Sequence, residues 1–583
     1  MKRNKSRWSF KKEPNRTTVE ELKNEIKVSE VTAFMLAQRG ITNREEAVLF
    51  FSDSVQHLHN PFQMKDMSEA VQRVNVALKN QEKILIYGDY DVDGVTAVTL
   101  MYSVLSNHTS RLEYYIPDRY EEGYGVSEKG ILFAEENEFT LIITLDCGIR
   151  ANDKVELANR KNIDVIICDH HTPGEELPKA IVLNPKRKDC LYPYKELSGC
   201  GVGFKLLQAL TQENKWKEEE LYAHFDLLAI SIGADIVSIT GENRILARKG
   251  LNQINSARYN RKGTEEMLRL AKKERPLSIS DVVFTIAPRI NAAGRLSDAK
   301  KAVRLLLSED EKEVKQLAEE IETLNTERKS LDTETTKEAL EQIEQSPDYN
   351  SKCTTLVYQK GWHKGVVGIV ASRLIEKHYR PTIVLTLSED EKTWTGSARS
   401  VQDVNICDVL EKCSENLEQF GGHVAAAGLT LKTEKLAQFI QDFDNEVKKV
   451  INHETLIPEQ IIEKELPLNS LFTIGESIYE VPRLMRELKQ FEPHGPENMK
   501  PLFLAENVYA KTHALLKGEH IKMSVNHPGE NNAVNAIFFN AKDEYEIIQD
   551  GPFDMVYTLE ENFWNNKTTL QLMVKDVRKT ILK

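Results

Sequence analysis

The chain has 583 residues, of which 40% are hydrophobic and 29% charged, and its formal net charge is -13. This is ordinary globular composition, with length for about four domains at roughly 150 residues each. The acidic balance argues against a broadly basic nucleic-acid binder and leaves any contact with a polyanion to local charge or bound cations.

The basic start, MKRNKSRWSFKKEPNR, is followed by no apolar h-region, so it reads as a solvated tail and not as a signal peptide. No run approaches the ~18 apolar residues of a membrane span. The seven cysteines are scattered and form no CxxC pair, which argues against a zinc knuckle and suits a reducing compartment; a cytoplasmic protein is expected. After an N-terminal extension and helical region (1–75), the segment 76–299 alternates short apolar runs with helical stretches. ILIYG (84–88), LIITL (141–145), DVIIC (164–168) and AIVLN (180–184) read as buried parallel strands joined by helical crossovers. The fold class is therefore α/β, with ligands expected at the carboxyl ends of the strands. Residues 300–346, charged and free of glycine, predict a long connecting helix. A second α/β block spans 347–453, with CTTLVYQ and PTIVLTL strand-like and GVVGIVASRLIEKH helix-like. From 454 to 583, FLAENVYAK, HIKMSVN, AVNAIFFN, FDMVYTLEENFW and TTLQLMVKDV follow at short intervals and predict a small all-β barrel.

Four features in the first α/β block carry chemistry. In GDYDVDG (88–94), Asp89, Asp91 and Asp93 are spaced by two and share one face of an extended segment. Three such carboxylates repel unless cations lie among them; the plain alternative is an acidic turn or a calcium loop. Asp146 follows LIITL directly, a position equally open to a ligand or a helix cap. His170 and His171, in CDHH after a third strand, point opposite ways in an extended chain and so have different jobs; for an isolated pair, a solvated turn is the plain reading. Asp235 lies within the apolar run SIGADIVSI, where a charge is costly unless paired, metal-bound or used as a cap. Together these features deliver oxygen and imidazole ligands to one sheet edge, which points to a metal site.

GDYDVDG, TLDCG, CDHH and GADIVSI resemble the successive motifs of the DHH phosphoesterase superfamily. IPDRYEEGYGVS (116–127), APRINAAGRL (287–296), GWHKGVVGIVASRL (361–374), GSARS (396–400) and GGHVAAAG (421–428) carry the resemblance through most of the chain from 80 to 430. It implies a parallel-sheet DHH domain, a long connecting helix, a DHHA1 domain and an oligonucleotide-binding (OB) barrel. The members it is most similar to are single-strand-specific 5′-to-3′ exonucleases that hydrolyse phosphodiesters with two divalent ions, Mn2+ by preference and Mg2+ also. They release 5′-mononucleotides in DNA repair and recombination. Relatives that cleave short oligonucleotides or cyclic dinucleotides share the catalytic motifs but have no use for the barrel.

Carried over, Asp89, Asp91 and Asp146 hold one ion, and Asp93, Asp146, His170 and Asp235 the other, with Asp146 as bridge. His171 faces the scissile phosphate, and with Asp146 is the expected catalytic pair. Arg119, Arg295, Ser397 and Arg399 match positions that contact substrate phosphates. His363, before a helix start, and Gly421, Gly422 and His423 are expected beside the strand. The bland readings are core packing for Trp362 and a tight strand-to-helix turn for the glycines. Barrel aromatics such as Phe538, Phe539, Tyr557, Phe563 and Trp564 are candidate stacking residues, although an aromatic on a strand is more often core. The partners implied are single-stranded DNA, a single-strand-binding protein and a RecQ-like helicase, with a monomeric enzyme and no membrane contact. Some relatives continue into a further C-terminal domain, whereas this sequence stops soon after the barrel.

Overall fold

The computed structural model describes residues 6–452, 454–472, 476, 480–530, 532–564 and 567–580. Two units emerge: Val48–Glu327 with Phe491–Met499, and Met1–Ala47 with Arg328–Gln490 and Lys500–Lys583.

In the first unit, strands β1 (Ile84–Gly88), β2 (Leu112–Tyr115), β3 (Leu141–Leu145), β4 (Asp164–Cys168) and β5 (Ile181–Leu183) form a parallel sheet in the order β2-β1-β3-β4-β5. Side chains alternate between two cores, as the twofold strand repeat demands. Ile84, Ile86, Ile143 and Ile166 pack on one face, while Leu85, Tyr87, Ile142 and Ile167 pack on the other. With both faces covered, the strands have no polar side, which is why their sequences are continuous apolar runs. The edge strand β2, LEYY, escaped sequence detection because it is short and only its last residue is buried.

Gly88, Leu145, Cys168 and Leu183 lie in one row across β1, β3, β4 and β5. The residues that follow them, Asp89, Asp146, Asp169 and Asn184, therefore emerge side by side at the carboxyl edge. The chain runs from β1 outward to β2 and returns to β3, so the β1/β3 junction is the point where strand order reverses and where open α/β sheets place their ligands. Helix α1 (Val92–Leu105) follows β1, and α2 (Gly199–Asn214) and α3 (Phe225–Ala234) cover the same face. Helix α4 (Ala287–Leu296) lies further along the chain, directly after a π-helical turn at Val282–Ile286.

The predicted long helix is α5 (Glu311–Gln345), and it begins later than expected. Asp310 accepts the backbone N–H groups of Lys312 (2.8 Å) and Glu313 (2.9 Å), capping a new helix after the one that ends at Leu307.

In the second unit, β6 (Thr355–Gln359), β7 (Thr382–Leu387), β8 (Thr393–Arg399), β9 (Gln419–His423) and β10 (Ala426–Lys432) form a sheet ordered β9-β10-β8-β7-β6, parallel only between β6 and β7. Helix α6 (Val367–His378) packs against it. GGHVAAAG is a β9–β10 hairpin and not a strand-to-helix turn. All five barrel strands form: β11 (Phe503–Leu516), β12 (His520–Asn526), β13 (Val534–Phe538), β14 (Phe553–Trp564) and β15 (Lys567–Lys579). Their order β11-β12-β13-β15-β14 closes through pairing of β11 with β14. Phe538 and Tyr557 are core, while Phe539 and Phe563 are exposed.

Residues Arg7–Phe10, expected in a solvated tail, instead pair in parallel with Glu459–Ile462. Trp8 donates its indole N–H to Asp576 at 2.9 Å and Arg7 pairs with Glu454 and Glu459 at 2.6 and 3.0 Å, so both the aromatic and the charge of the segment find partners. Among the described residues, no helix is long and apolar enough to cross a membrane.

Candidate metal centre

The three aspartates after β1 do not share an extended face. The backbone turns directly into α1, because Gly94 allows the close approach: a Cβ there would lie 2.4 Å from the Asp89 carbonyl oxygen. Asp91 becomes the N-cap of α1, its Oδ1 accepting the Gly94 N–H at 3.0 Å. Asp93 sits in the first turn. Its carboxylate accepts the backbone N–H of Gly199 (2.6 Å) and Cys200 (2.9 Å) at the open end of α2, and the Ser231 hydroxyl (2.7 Å) on α3. Asp93 is thus tied to two further helices before any ligand is considered.

Asp146 leaves β3 with φ of 60°, a left-handed conformation that a non-glycine residue holds only under local constraint. Its backbone N–H donates to the Cys168 carbonyl at 2.9 Å, and its side chain lies against Gly199. The His170 ring nitrogen Nε2 is 3.2 Å from Asp146 Oδ1, 3.4 Å from Asp235 Oδ2 and 4.0 Å from Asp93 Oδ2. The two histidines were expected to diverge. Their rings instead lie 4.5 Å apart, and His171 Nδ1 also comes within 3.9 Å of Asp146 Oδ1. The chain turns after β4, so the extended-strand rule fails there. Asp235 arrives on the C-cap of α3, not on a strand end.

Burial and mutual repulsion push the Asp89, Asp146 and Asp235 carboxyls well above the ordinary carboxylate range, and raise that of Asp91. Arg119 offsets part of this at Asp89. Burial also lowers His170 to about 4, so its ring is neutral at pH 7. Both oxygens of Asp89, Oδ1 of Asp146, both ring nitrogens of His170 and Oδ2 of Asp235 are buried without a hydrogen-bond partner. Such groups are costly in a folded protein unless something else satisfies them. Ligands at about 2.1 Å from an octahedral ion lie about 3.0 Å from one another, close to the His170–Asp146 and His170–Asp235 separations. Hard oxygens with one neutral imidazole fit Mn2+ or Mg2+. Among the described residues, two sets have ligand atoms within 4.8 Å of one another, Asp146–His170–His171 and Asp93–His170–Asp235.

Comparison with known proteins agrees with this chemistry. Residues 83–232 match the DHH family, N-terminal domain; 350–449 match the DHHA1 domain; and 479–576 match the RecJ OB domain. A Bacillus subtilis protein named single-stranded-DNA-specific exonuclease RecJ is 37% identical over 581 residues, covering 99% of this chain and 71% of that protein. The chain belongs to the RecJ family. Two crystal structures of RecJ from Thermus thermophilus, in complex with Mn2+ and with Mg2+, superpose with TM-scores of 0.83 and 0.78 at 26% and 25% identity. Both cover 99% of this chain, and the matched parts are 80% and 79% of those chains.

Within this RecJ-family chain, Arg119 lies half-buried with its guanidinium 4.6 Å above the Tyr90 ring, next to Asp89. Arg295 is in the last turn of α4, where its carbonyl accepts the Tyr120 hydroxyl at 2.5 Å. The other expected phosphate contacts belong to the second unit, where register brings several together. Ser397 pairs with Gly428, which pairs with Gly421; Arg399 pairs with Ala426, which pairs with His423; and Gly422 pairs with Ala427. Arg399 donates to the Ser397 hydroxyl at 2.7 Å, and a Cβ at Gly368 in α6 would lie 3.0 Å from the Arg399 guanidinium. His363 accepts the Gly365 N–H at 3.0 Å. Trp362 is buried and donates to Glu338 at 2.7 Å, the core role weighed for it.

Sequence reasoning missed the residues that hold the candidate ligands. Asp169, the first residue of the DHH triplet itself, accepts from His171 Nδ1 at 2.8 Å and from the Ile149 N–H at 3.0 Å. Burial would raise this carboxyl, but the hydrogen bond and charge of His171 outweigh it and hold Asp169 at about 2. Asn184 donates to the His171 carbonyl at 2.9 Å. The signal for both was available: each directly follows an apolar strand. Gly199 and Ser231 carried no such signal, because their role exists only where α2 and α3 meet Asp93 and Asp146.

Proposed function

We propose that this chain degrades single-stranded DNA from the 5′ end, hydrolysing phosphodiester bonds with two divalent ions, Mn2+ by preference or Mg2+, and releasing 5′-mononucleotides. The observation that carries the reading is the group of buried, unpartnered carboxylate and imidazole atoms at the carboxyl edge of the parallel sheet. When bound, the ions supply positive charge at the scissile phosphate and an acidified water for in-line attack.

The remaining work falls to the protein. Asp89, Asp91, Asp93, Asp146, His170 and Asp235 form the ligand set, with Asp146 as the bridge between the two ions by family resemblance and His170 common to the two close groups. Five of these carry -5 when ionised, so the same side chains repel DNA until cations are present. Asp93 is oriented by the N–H groups of α2, and His171, held by Asp169, is the residue that faces the scissile phosphate. Arg119 and Arg295 on the first unit, and His363, Ser397, Arg399 and Gly421–His423 on the second, bind the substrate backbone. The barrel gives a longer strand a track that a dinucleotide does not need. Polarity, a monomeric state, a cytoplasmic setting, a role in repair and recombination, and cooperation with a single-strand-binding protein and a RecQ-like helicase rest on the family resemblance.

Digestion of single strands labelled at either end, with duplex as control, tests the reading. In Mn2+ the 5′ label is expected to appear at once as mononucleotide while the 3′ label shortens gradually. Duplex, chelator and Asp146→Ala should all be silent. Release of the 3′ label first overturns the polarity, and activity confined to dinucleotides overturns the substrate.

A further inference from the structure

The loop 118–127, which carries Arg119 near its start, ends against the candidate metal centre. Asp118 caps it, accepting the Tyr120 (2.8 Å) and Glu121 (2.9 Å) N–H groups. Glu122 accepts the Tyr115 hydroxyl at 2.9 Å, and Tyr87 donates its hydroxyl to the Gly125 carbonyl at 3.1 Å. Gly123 and Gly125 both have left-handed φ (80° and 85°), so the chain doubles over on either side of Tyr124 and drives that side chain toward the sheet edge.

The Tyr124 hydroxyl donates to the Asp146 carbonyl at 3.1 Å. The same oxygen is 3.3 Å from His171 Nδ1 and 3.2 Å from Nε2. Near-equal distances, with the two rings 78° apart and their centroids 5.8 Å apart, place it over the face of the imidazole, in line with neither nitrogen, so it restrains the ring against tilting instead of replacing its Asp169 partner. His171 is then held from three sides: Asp169 at Nδ1, Asn184 at its backbone carbonyl, and Tyr124 against the ring. The rest of Tyr124 faces outward. The residue is 56% exposed although its tip is enclosed, and its ring meets Tyr90 edge-on at 6.4 Å, with Arg119 above Tyr90.

We infer that Tyr124 is a positioning residue for the hydrolysis proposed above, on which this inference rests: its hydroxyl locks His171 against Asp146, and its exposed ring supports the nucleotide at the scissile bond. A ring edge beside a half-buried arginine suits a nucleotide, with the base or sugar on the aromatic and the phosphate on the cation. The two parts of the side chain have separable consequences. Losing the hydroxyl frees His171 and slows the chemical step; losing the ring also weakens substrate binding.

The test compares the full chain with Tyr124→Phe, Tyr124→Leu, Asp169→Asn and the double variant Tyr124→Phe/Asp169→Asn. Each is assayed on a 5′-phosphorylated single-stranded oligodeoxynucleotide in Mn2+, with the thermal midpoint as folding control. Tyr124→Phe is expected to lower kcat roughly ten- to hundredfold with KM unchanged. Tyr124→Leu should add a rise in KM. The double variant should be about as slow as the slower single variant, because one freed ring cannot be freed twice. A wild-type kcat for Tyr124→Phe at an unchanged thermal midpoint overturns the inference. So do losses that multiply in the double variant, which would show that Tyr124 acts independently of His171. If Tyr124→Phe lowers the midpoint, that multiplicativity decides. A wild-type chain that digests nothing overturns the underlying activity instead.

Discussion

Gly199→Ala places one methyl group where the structure has no room for it. A Cβ at Gly199 would lie 2.5 Å from Asp146 Cβ, 2.6 Å from Oδ1 and 2.7 Å from Cγ. Ordinary contacts are about 3.5–4.0 Å, so Asp146 must retreat by about 1 Å. Oδ1 is the oxygen 3.2 Å from His170 Nε2, and metal–ligand distances tolerate only about 0.2 Å. The φ of Gly199 is not left-handed, and strain from one extra core methyl costs about 1–3 kcal/mol, so the fold should persist. A 100-fold loss of metal affinity, at the upper end of about 10–100-fold for a misplaced ligand shell, sets the readout. At a Mn2+ concentration of about 100 Kd for the wild type, metal stabilises the fold by about 2.7 kcal/mol; for the variant the gain falls to about 0.4 kcal/mol. Thermal melts with Mn2+ and with chelator measure this directly, and nuclease activity should fall at least as far. A variant with the wild-type Mn2+-dependent rise and the wild-type rate would refute the claim that Gly199 sets the place of Asp146.

Three further outcomes follow from buried charge and packing. Asp89, Asp91, Asp146 and Asp235 have raised carboxyl pKa values in the folded chain, so their contribution to stability is complete below about pH 3.9 and is lost as pH rises through the folded values. The chelated protein should therefore lose stability as pH climbs from 4 toward neutrality. Asp89→Asn should lose less and melt higher in chelator, by about 2–4 °C per kcal/mol recovered, while abolishing nuclease activity. Asp226 behaves oppositely: it pairs with buried Arg261 at 2.5 and 3.0 Å, which outweighs burial and depresses its carboxyl. Its stabilisation is present above about pH 3.9 and lost as pH falls through the folded value, and Asp226→Asn should cost about 3–5 kcal/mol in a denaturant melt at pH 7 by stranding the guanidinium. In the barrel, Phe538→Ala should cost about 3–5 kcal/mol, whereas Phe563→Ala, 68% exposed, should leave the unfolding midpoint within about 0.5 kcal/mol of wild type.

The parts of the site readable from sequence are those tied to strand ends. ILIYG, LIITL and DVIIC announce buried parallel strands by being apolar throughout, and the acidic or imidazole residue after each is then placed at the sheet edge by topology alone. The barrel strands were legible for a similar reason, since period and turn residues are local. Errors arose where a local rule was extended past the end of its element. The spacing of Asp89, Asp91 and Asp93 suggested one strand face, but the unsatisfied N–H groups at the start of α1 drew Asp91 into a cap. The two histidines converge because the chain turns after Cys168.

Sequence by itself determined the α/β class, the run of apolar strands ending in acidic residues, and the motif set that marks a DHH phosphoesterase. Each of these is written in neighbouring residues and in a period of two or 3.6. Only the tertiary structure decided that Asp235 reaches the site from a helix end, that Gly199 leaves the space Asp146 occupies, and that Tyr124 closes over His171. Contacts of this kind join residues far apart in the chain, 47 positions for Tyr124 with His171 and 138 for Asp93 with Ser231. They exist only once packing has fixed which surfaces meet.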